Sequence, residues 1–266
     1  REVMRVLPRL HEGINEEWIS DKTRYAIDGL KRQRLDRPYI RENGKLRPAE
    51  WAEALALVAT KLQNTSASKV AAIAGDQCDS ESMFALKQLM GAIGSSHLEC
   101  RQDGAKLSTE SRSAYLFNTS IAGIEQADAL LLVGTNPRWE APIINARIRK
   151  RWLGGQLKIG MIGPKVDLTY DYQHMGVGPE SLQQISNSQH GFSEVLKSAK
   201  APMMIVGMSA LTRPDGAAIL TALGAFAEKM GMLRSDWNGF NVLHTAASRV
   251  GGLDMGFVPQ QGGRDR

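Results

Sequence analysis

At 266 residues, with 42% hydrophobic and 23% charged residues, the chain has the make-up of a globular protein of one or two domains. Its net charge of +5 comes from 33 basic residues scattered among 28 acidic ones, with no nucleic-acid motif or set of stacking aromatics, which argues against nucleic-acid binding. The longest apolar runs, 129–133 and 203–206, fall far short of the roughly 20 residues of a membrane-spanning helix, and Cys78 and Cys100 make no disulfide framework.

The first 50 residues are rich in Arg and Lys, carry Pro8, Pro38 and Pro48, and read as short extended pieces; Glu2-Val-Met-Arg-Val-Leu7 alternates like a strand. Residues 50–62 then place Trp51, Ala54, Leu55, Val58 and Leu62 at the spacing of an amphipathic helix, with Pro48 suited to its start. From Lys69 strands and helices alternate. A buried strand at 70–74 ends on Gly75, and Asp79-Ser-Glu opens a helix closed by Gly94. A strand at 129–133 leads through Gly134-Thr-Asn-Pro137 into a helix from about 140 to 153. Strands at 157–162 and 203–206 and a helix over 216–230 complete the series. Apolar strands alternating with helices predict an α/β fold: a doubly wound, largely parallel sheet flanked by helices, with a small N-terminal β-containing subdomain. The expected division is 1–50 and 51–266.

In such sheets ligands bind where strands end, so Gly75-Asp-Gln-Cys78, Gly134-Thr-Asn-Pro137 and Gly163-Pro-Lys165 are the candidate loops. The Gly134 loop could cradle a phosphate, although a tight strand-to-helix turn explains the same residues. The dinucleotide and P-loop glycine patterns, the Gly-x-Ser-x-Gly elbow and His-Glu-x-x-His are all missing. His11, His97, His174, His190 and His244 are dispersed and show no metal spacing. Asp167, Asp171 and Glu180 lie around one candidate edge. Arg147-Ile-Arg-Lys-Arg151 suits a helix C-terminus or a face for an acidic partner. Read from the residues alone, this is a nucleotide-type topology without a complete active site.

Longer strings carry a resemblance. Pro8-Arg-Leu-His-Glu-Gly-Ile-Asn-Glu-Glu-Trp-Ile-Ser-Asp-Lys-Thr-Arg-Tyr25, Asp28-Gly-Leu-Lys-Arg-Gln-Arg-Leu35, residues 127–150 around Gly134, and Ile162-Gly-Pro-Lys-Val-Asp-Leu-Thr-Tyr170 resemble the largest iron–sulfur subunit of respiratory complex I. The likeness is to mitochondrial and alphaproteobacterial forms and covers essentially the whole chain. It implies a parent NADH-quinone oxidoreductase that passes electrons through iron–sulfur clusters to quinone, coupled to proton translocation. The chain then reads as a fragment. Its [2Fe-2S] and [4Fe-4S] clusters are expected before residue 1, its partners are other peripheral-arm subunits, and it has no direct membrane insertion. The implied location is the matrix side of the mitochondrial inner membrane or the cytoplasmic side of the bacterial one.

Within this resemblance residues 1–50 are a remnant of the iron–sulfur/pterin-type N-terminal subdomain, and 51–266 are the molybdopterin-oxidoreductase-like domain. Ser20 stands where related chains have a cluster cysteine. Gly134, Thr135, Asn136 and Pro137 look like a relic pterin-dinucleotide loop, but Gly163-Pro-Lys165 lacks the carboxylate expected after the next strand. No catalytic residue, no metal ligand and no cofactor are expected in the fragment, which leaves a non-catalytic scaffold region. Two alternatives are a molybdenum or tungsten pterin-dependent oxidoreductase domain using Ser108 (Cys100 falls too early), and a nucleotide-binding module using the Gly134 loop.

Overall fold

The computed structural model describes residues 2–259 and 263. The expected strand at 2–7 does not form: residues 2–10 take no regular structure, because no neighbouring strand offers them a ladder. A short helix α1 (Asp21–Tyr25) is followed by a hairpin of β1 (Tyr39–Glu42) and β2 (Lys45–Pro48). Asn43 and Gly44 both have positive φ, 49° and 80°, the pair a two-residue hairpin turn selects. Pro48 therefore ends β2, and the next helix α2 (Trp51–Gln63) starts beyond it. None of the residues of α2 is buried, and Trp51 and Leu55 are 67% and 59% exposed. The predicted amphipathic helix is present, but its apolar stripe faces outward.

Strand β3 (Ala72–Ile73) is shorter than expected and pairs in parallel only with β4 (Leu98–Glu99), across the helix α3 (Ser80–Ala92). Asp79 caps α3 as its sequence foretold, accepting from the Ser82 N–H at 2.7 Å. The main sheet begins with β5 (Ala129–Val133), then a single turn of helix α4 (Pro137–Glu140) and α5 (Pro142–Leu153). One helix was expected here. Pro142 forces Ala141 to φ −147°, ψ 73°, outside the helical region, and so splits it in two.

The chain continues through β6 (Lys158–Ile162), β7 (Gln173–His174), α6 (Pro179–Ser186), α7 (Phe192–Ser198), β8 (Pro202–Gly207), α8 (Met208–Leu211), α9 (Gly216–Lys229), β9 (Phe240–Leu243) and α10 (Arg249–Asp254). The sheet order is β7-β6-β5-β8-β9, with every pair parallel. Leu131, Val133, Met204 and Val206 face one core with Leu223 and Phe226; Leu130, Leu132, Met203 and Ile205 face the other with Ile144 and Ile148. Alternate residues of each strand thus meet a helix layer on either side, which is why the strands read as unbroken apolar runs. The chain leaves β5 toward β6 and β7, then returns to lay β8 and β9 on the other side. That reversal opens a crevice at the carboxyl ends of β5 and β8, the usual ligand position of this topology.

Candidate functional site

The crevice is built on two glycines. Gly134 leaves β5 at φ +56°, and a Cβ there would sit 2.9 Å from the Ala210 backbone nitrogen. Gly207 ends β8, and a Cβ on it would collide with the Gly134 carbonyl oxygen and lie 2.9 Å from the Thr135 Cα. Only hydrogen at both positions lets the two loops meet. Ser209 donates its hydroxyl to that same Gly134 carbonyl, and the Gly134 N–H is spent on Ile162 O at 2.9 Å.

The rest of the loop is held by Glu140, at the end of α4. One carboxylate oxygen takes the Thr135 hydroxyl at 2.8 Å and the other takes the Asn136 N–H at 2.9 Å. Beside the loop lies a cavity of about 110 Å³ lined mainly by apolar or backbone surface, including Val133, Ile162, Leu182 and Ile219. Arg213 is the cation on its wall, and Asp215 grips it with both oxygens at 2.7 and 2.9 Å. That ion pair, with a smaller contribution from the nearby Glu180 carboxylate, raises the guanidinium above its ordinary pKa. Glu180 also folds back over Gly178, at the mouth of the cavity.

The other sequence candidates go elsewhere. Ser20 caps α1, accepting from the Thr23 N–H at 3.3 Å. Ser108 is exposed and accepts from the Glu110 N–H at 3.1 Å. Cys100 is 1% exposed, and burial pushes its thiol up to about 11, whereas Cys78 is half-buried and accepts from the Gly75 N–H. His174 and His244 each place Nε2 on a backbone oxygen, Gly163 O and Tyr115 O, at 2.7 Å. Among the described residues no three His, Cys, Asp or Glu side chains come together as a metal site. Asp167 turns away to Arg138 and the Thr169 N–H, Asp171 lines a separate groove, and Glu180 folds back over Gly178 without lining the cavity.

The basic run on α5 is consumed internally. Arg147, 4% exposed, donates to Glu125 Oε1 and to Glu12 O, both at 2.7 Å; Lys150 pairs with Glu16 and Glu125; Arg149 and Arg151 reach Thr169 O and Ala127 O. These bonds pin the bend at 11–16 onto the α/β unit. Sequence reasoning missed this clamp, and it missed Glu140 and Arg249 as well. Arg249 is 1% exposed, with its guanidinium 3.0 Å from Asp103 and donating to Cys100 O at 3.2 Å. The spacing of Glu140 behind Asn136 was the one available signal for the crevice, and it reads equally as an ordinary helix start.

A doubly wound sheet with a glycine-turned loop at its reversal point defines a cofactor-fold α/β domain. The molybdopterin oxidoreductase family model matches residues 34–265, and the chain belongs to that family. The model of the NADH-ubiquinone oxidoreductase NDSU1/NuoG-like 4Fe-4S domain matches residues 1–28. The chain is 46% identical over 260 residues to the mitochondrial NADH dehydrogenase [ubiquinone] iron-sulfur protein 1 of Solanum tuberosum, covering 97% of this chain and 35% of that protein. It is 49% identical over 256 residues to an NADH-quinone oxidoreductase subunit from Rickettsia conorii, and 48% to the corresponding protein of Rickettsia bellii; both alignments cover 96% of this chain and 38% of the relative. The resemblance to the large iron–sulfur subunit of complex I, mitochondrial and alphaproteobacterial forms included, therefore holds along the chain, which spans little more than a third of the length of these relatives. A solved formyltransferase/hydrolase complex from Methylorubrum extorquens aligns at 12% identity with a TM-score of 0.49, over 84% of this chain and 66% of its own. No helix among the described residues is long and apolar enough to cross a membrane.

Proposed function

We propose that this chain is a non-catalytic region of the iron–sulfur subunit of an NADH-quinone oxidoreductase, and that it supports and packs against the electron-carrying part. The parent complex would carry electrons from NADH through iron–sulfur clusters to quinone. The partners would be other peripheral-arm subunits, on the matrix or cytoplasmic face of the membrane. Residues 1–50 would belong with the iron–sulfur region and 51–266 with the molybdopterin-type domain.

The observation that carries this reading is the reuse of the ligand positions in folding. A cluster needs thiolates, and Ser20 spends its hydroxyl as a helix cap while Cys100 is buried with its thiol kept protonated. The crevice does not fit a pterin dinucleotide. Its loop donors are held by Glu140, and its cavity of about 110 Å³ is well below the roughly 300 Å³ at which ligand pockets begin. The position after β6, where a carboxylate would hold the nucleotide, is Gly163-Pro164-Lys165.

The test is elemental analysis for molybdenum, tungsten and iron, with a pterin fluorescence assay, on the intact complex from native membranes. Iron alone is expected. Stoichiometric molybdenum or tungsten with pterin would replace this reading with that of a working oxidoreductase domain.

A further inference from the structure

The chain carries one finished parallel sheet and one unfinished one. In the finished sheet β5 pairs with β6 across α4 and α5, and β8 then returns to the other edge of β5. The lobe before it starts alike, with β3 paired in parallel to β4 across α3, but among the described residues no strand lies along the other edge of β3. Ala72 and Ala74 give their N–H groups to His97 O and Glu99 O, both at 2.9 Å. Bonding sides alternate along a strand, so the N–H and C=O of Ile73 point to the open edge. On the far side of β4, by contrast, Arg249 donates to Cys100 O at 3.2 Å. The faces are as unequal as the edges. Ala72 and Ala74 pack into a core with Met83 and Met90 of α3, while the Ile73 side chain points the other way and is 61% exposed. Parallel strands in stable folds are covered on both faces, and a two-stranded pair is marginal in water.

The relatives keep most of their length outside the stretch this chain matches, and the lobe is already assembled from two separated stretches. Ser248 donates to Gly75 O, at the end of β3, at 2.7 Å. Gly251 then lies beside Ser80, and the Met255 carbonyl accepts from Lys87, so α10 runs alongside α3 in the same direction, back toward the amino end of β3. That is the direction a chain must take before it can add a parallel strand. The bend at 11–16 is instead pinned to α5, on the other unit. We propose that the open edge of β3 receives a further parallel strand from the part of the parent subunit that follows α10, beyond residue 266, and that this strand covers Ile73. The inference rests on the reading of the chain as a region of a longer iron–sulfur subunit, and names one surface through which the region joins the rest. The incoming strand is an unbroken run of about five apolar residues, like β5 and β8, because both of its faces end up covered. Its backbone bonds to Ile73 fix the register, and the Ile73 side chain supplies the apolar contact.

The experiment uses the purified intact complex, with NADH-quinone activity as the check on assembly. In wild type, hydrogen exchange at the Ile73 amide is expected to be at least about a hundredfold slower than at an unpaired surface amide. Benzoylphenylalanine encoded in place of Ile73 and photoactivated should form an adduct that mass spectrometry maps to the same subunit, C-terminal to residue 266 and within an apolar run. Ala71, exposed on the same face, carries the probe if the complex does not assemble with it at position 73. An Ile73 amide that exchanges as freely as a loop would overturn the proposal. So would an adduct to another subunit, to a second copy of this one or to the region preceding this chain, and so would the absence of any adduct. Each of these leaves the non-catalytic reading standing, whereas molybdenum or pterin in the wild-type complex would overturn that reading and leave the strand pairing untouched.

Discussion

Replacing Arg147 by Met tests whether the N-terminal bend is clamped to the α/β unit or merely rests on it. Arg147 lies on α5 at 4% exposure and makes two bonds of 2.7 Å, to Glu125 and to the carbonyl of Glu12. Met keeps most of the apolar stem, so the loss is confined to the charged head. A charged hydrogen bond to a carbonyl is worth about 1.5–2 kcal/mol. The Glu125 bond is worth less, because that carboxylate is 35% exposed and still has Lys150 at 3.1 Å, which puts it on the surface scale of about 0.5–1 kcal/mol. The sum is about 2–3 kcal/mol, or a fall in Tm of roughly 5–10 °C for a domain of this size. The assay is a thermal melt of the subunit together with limited proteolysis, in which cleavage within residues 1–20 should rise before the α/β core is cut. An unchanged Tm, within about 1 °C, with unchanged cleavage would refute the clamp.

Three further outcomes follow from single side chains. Ser20→Ala should cost about 1 kcal/mol through the lost cap on α1, and Ser20→Cys should leave the iron content of the intact complex unchanged, read by a colorimetric iron assay. Gly134→Ala forces an L-residue to φ +56° with its Cβ 2.8–2.9 Å from Ala210; a loss of about 2–4 kcal/mol is expected, and a melt equal to wild type would contradict the close approach. His244 is held below its ordinary value of 6.5, first by burial and then by the Arg249 charge, against the opposing bond to Tyr115 O. Its unfolded form therefore takes a proton first, so stability present above about pH 6.5 is lost as the pH falls toward the folded value. His244→Gln should flatten that part of the Tm–pH curve, and a slope identical to wild type would remove His244 as its source.

How much of this was legible beforehand depended on whether the signal was local. The strands β5, β6 and β8 announced themselves because burial on both faces demands consecutive apolar residues, and α3 because Asp79 caps it. Strand β9 escaped notice. Its Asn241 is fully buried, yet its side chain bonds to Met204 O, Gly239 O and the Thr119 N–H, partners 37, 2 and 122 residues away. A polar residue inside a strand is acceptable only when the fold brings such partners, and no local window of sequence contains Met204 and Thr119. Likewise Gly134, Thr135, Asn136 and Pro137 were recognisable as a loop, but the carboxylate that occupies it was not.

The sequence by itself determined the alternation of strands and helices and the family likeness, since residue type and short-range periodicity are written in the chain. The tertiary structure alone decided that the apolar stripe of α2 points outward, that the basic run on α5 pins the bend at 11–16, and that Glu140 takes the Thr135 hydroxyl and the Asn136 N–H. Periodicity fixes which side of an element is apolar but not what covers it, and composition counts charges without pairing them. A donor's partner is set by backbone geometry over a few ångströms, and that geometry exists only once β5 and β8 have brought Gly134 and Gly207 together.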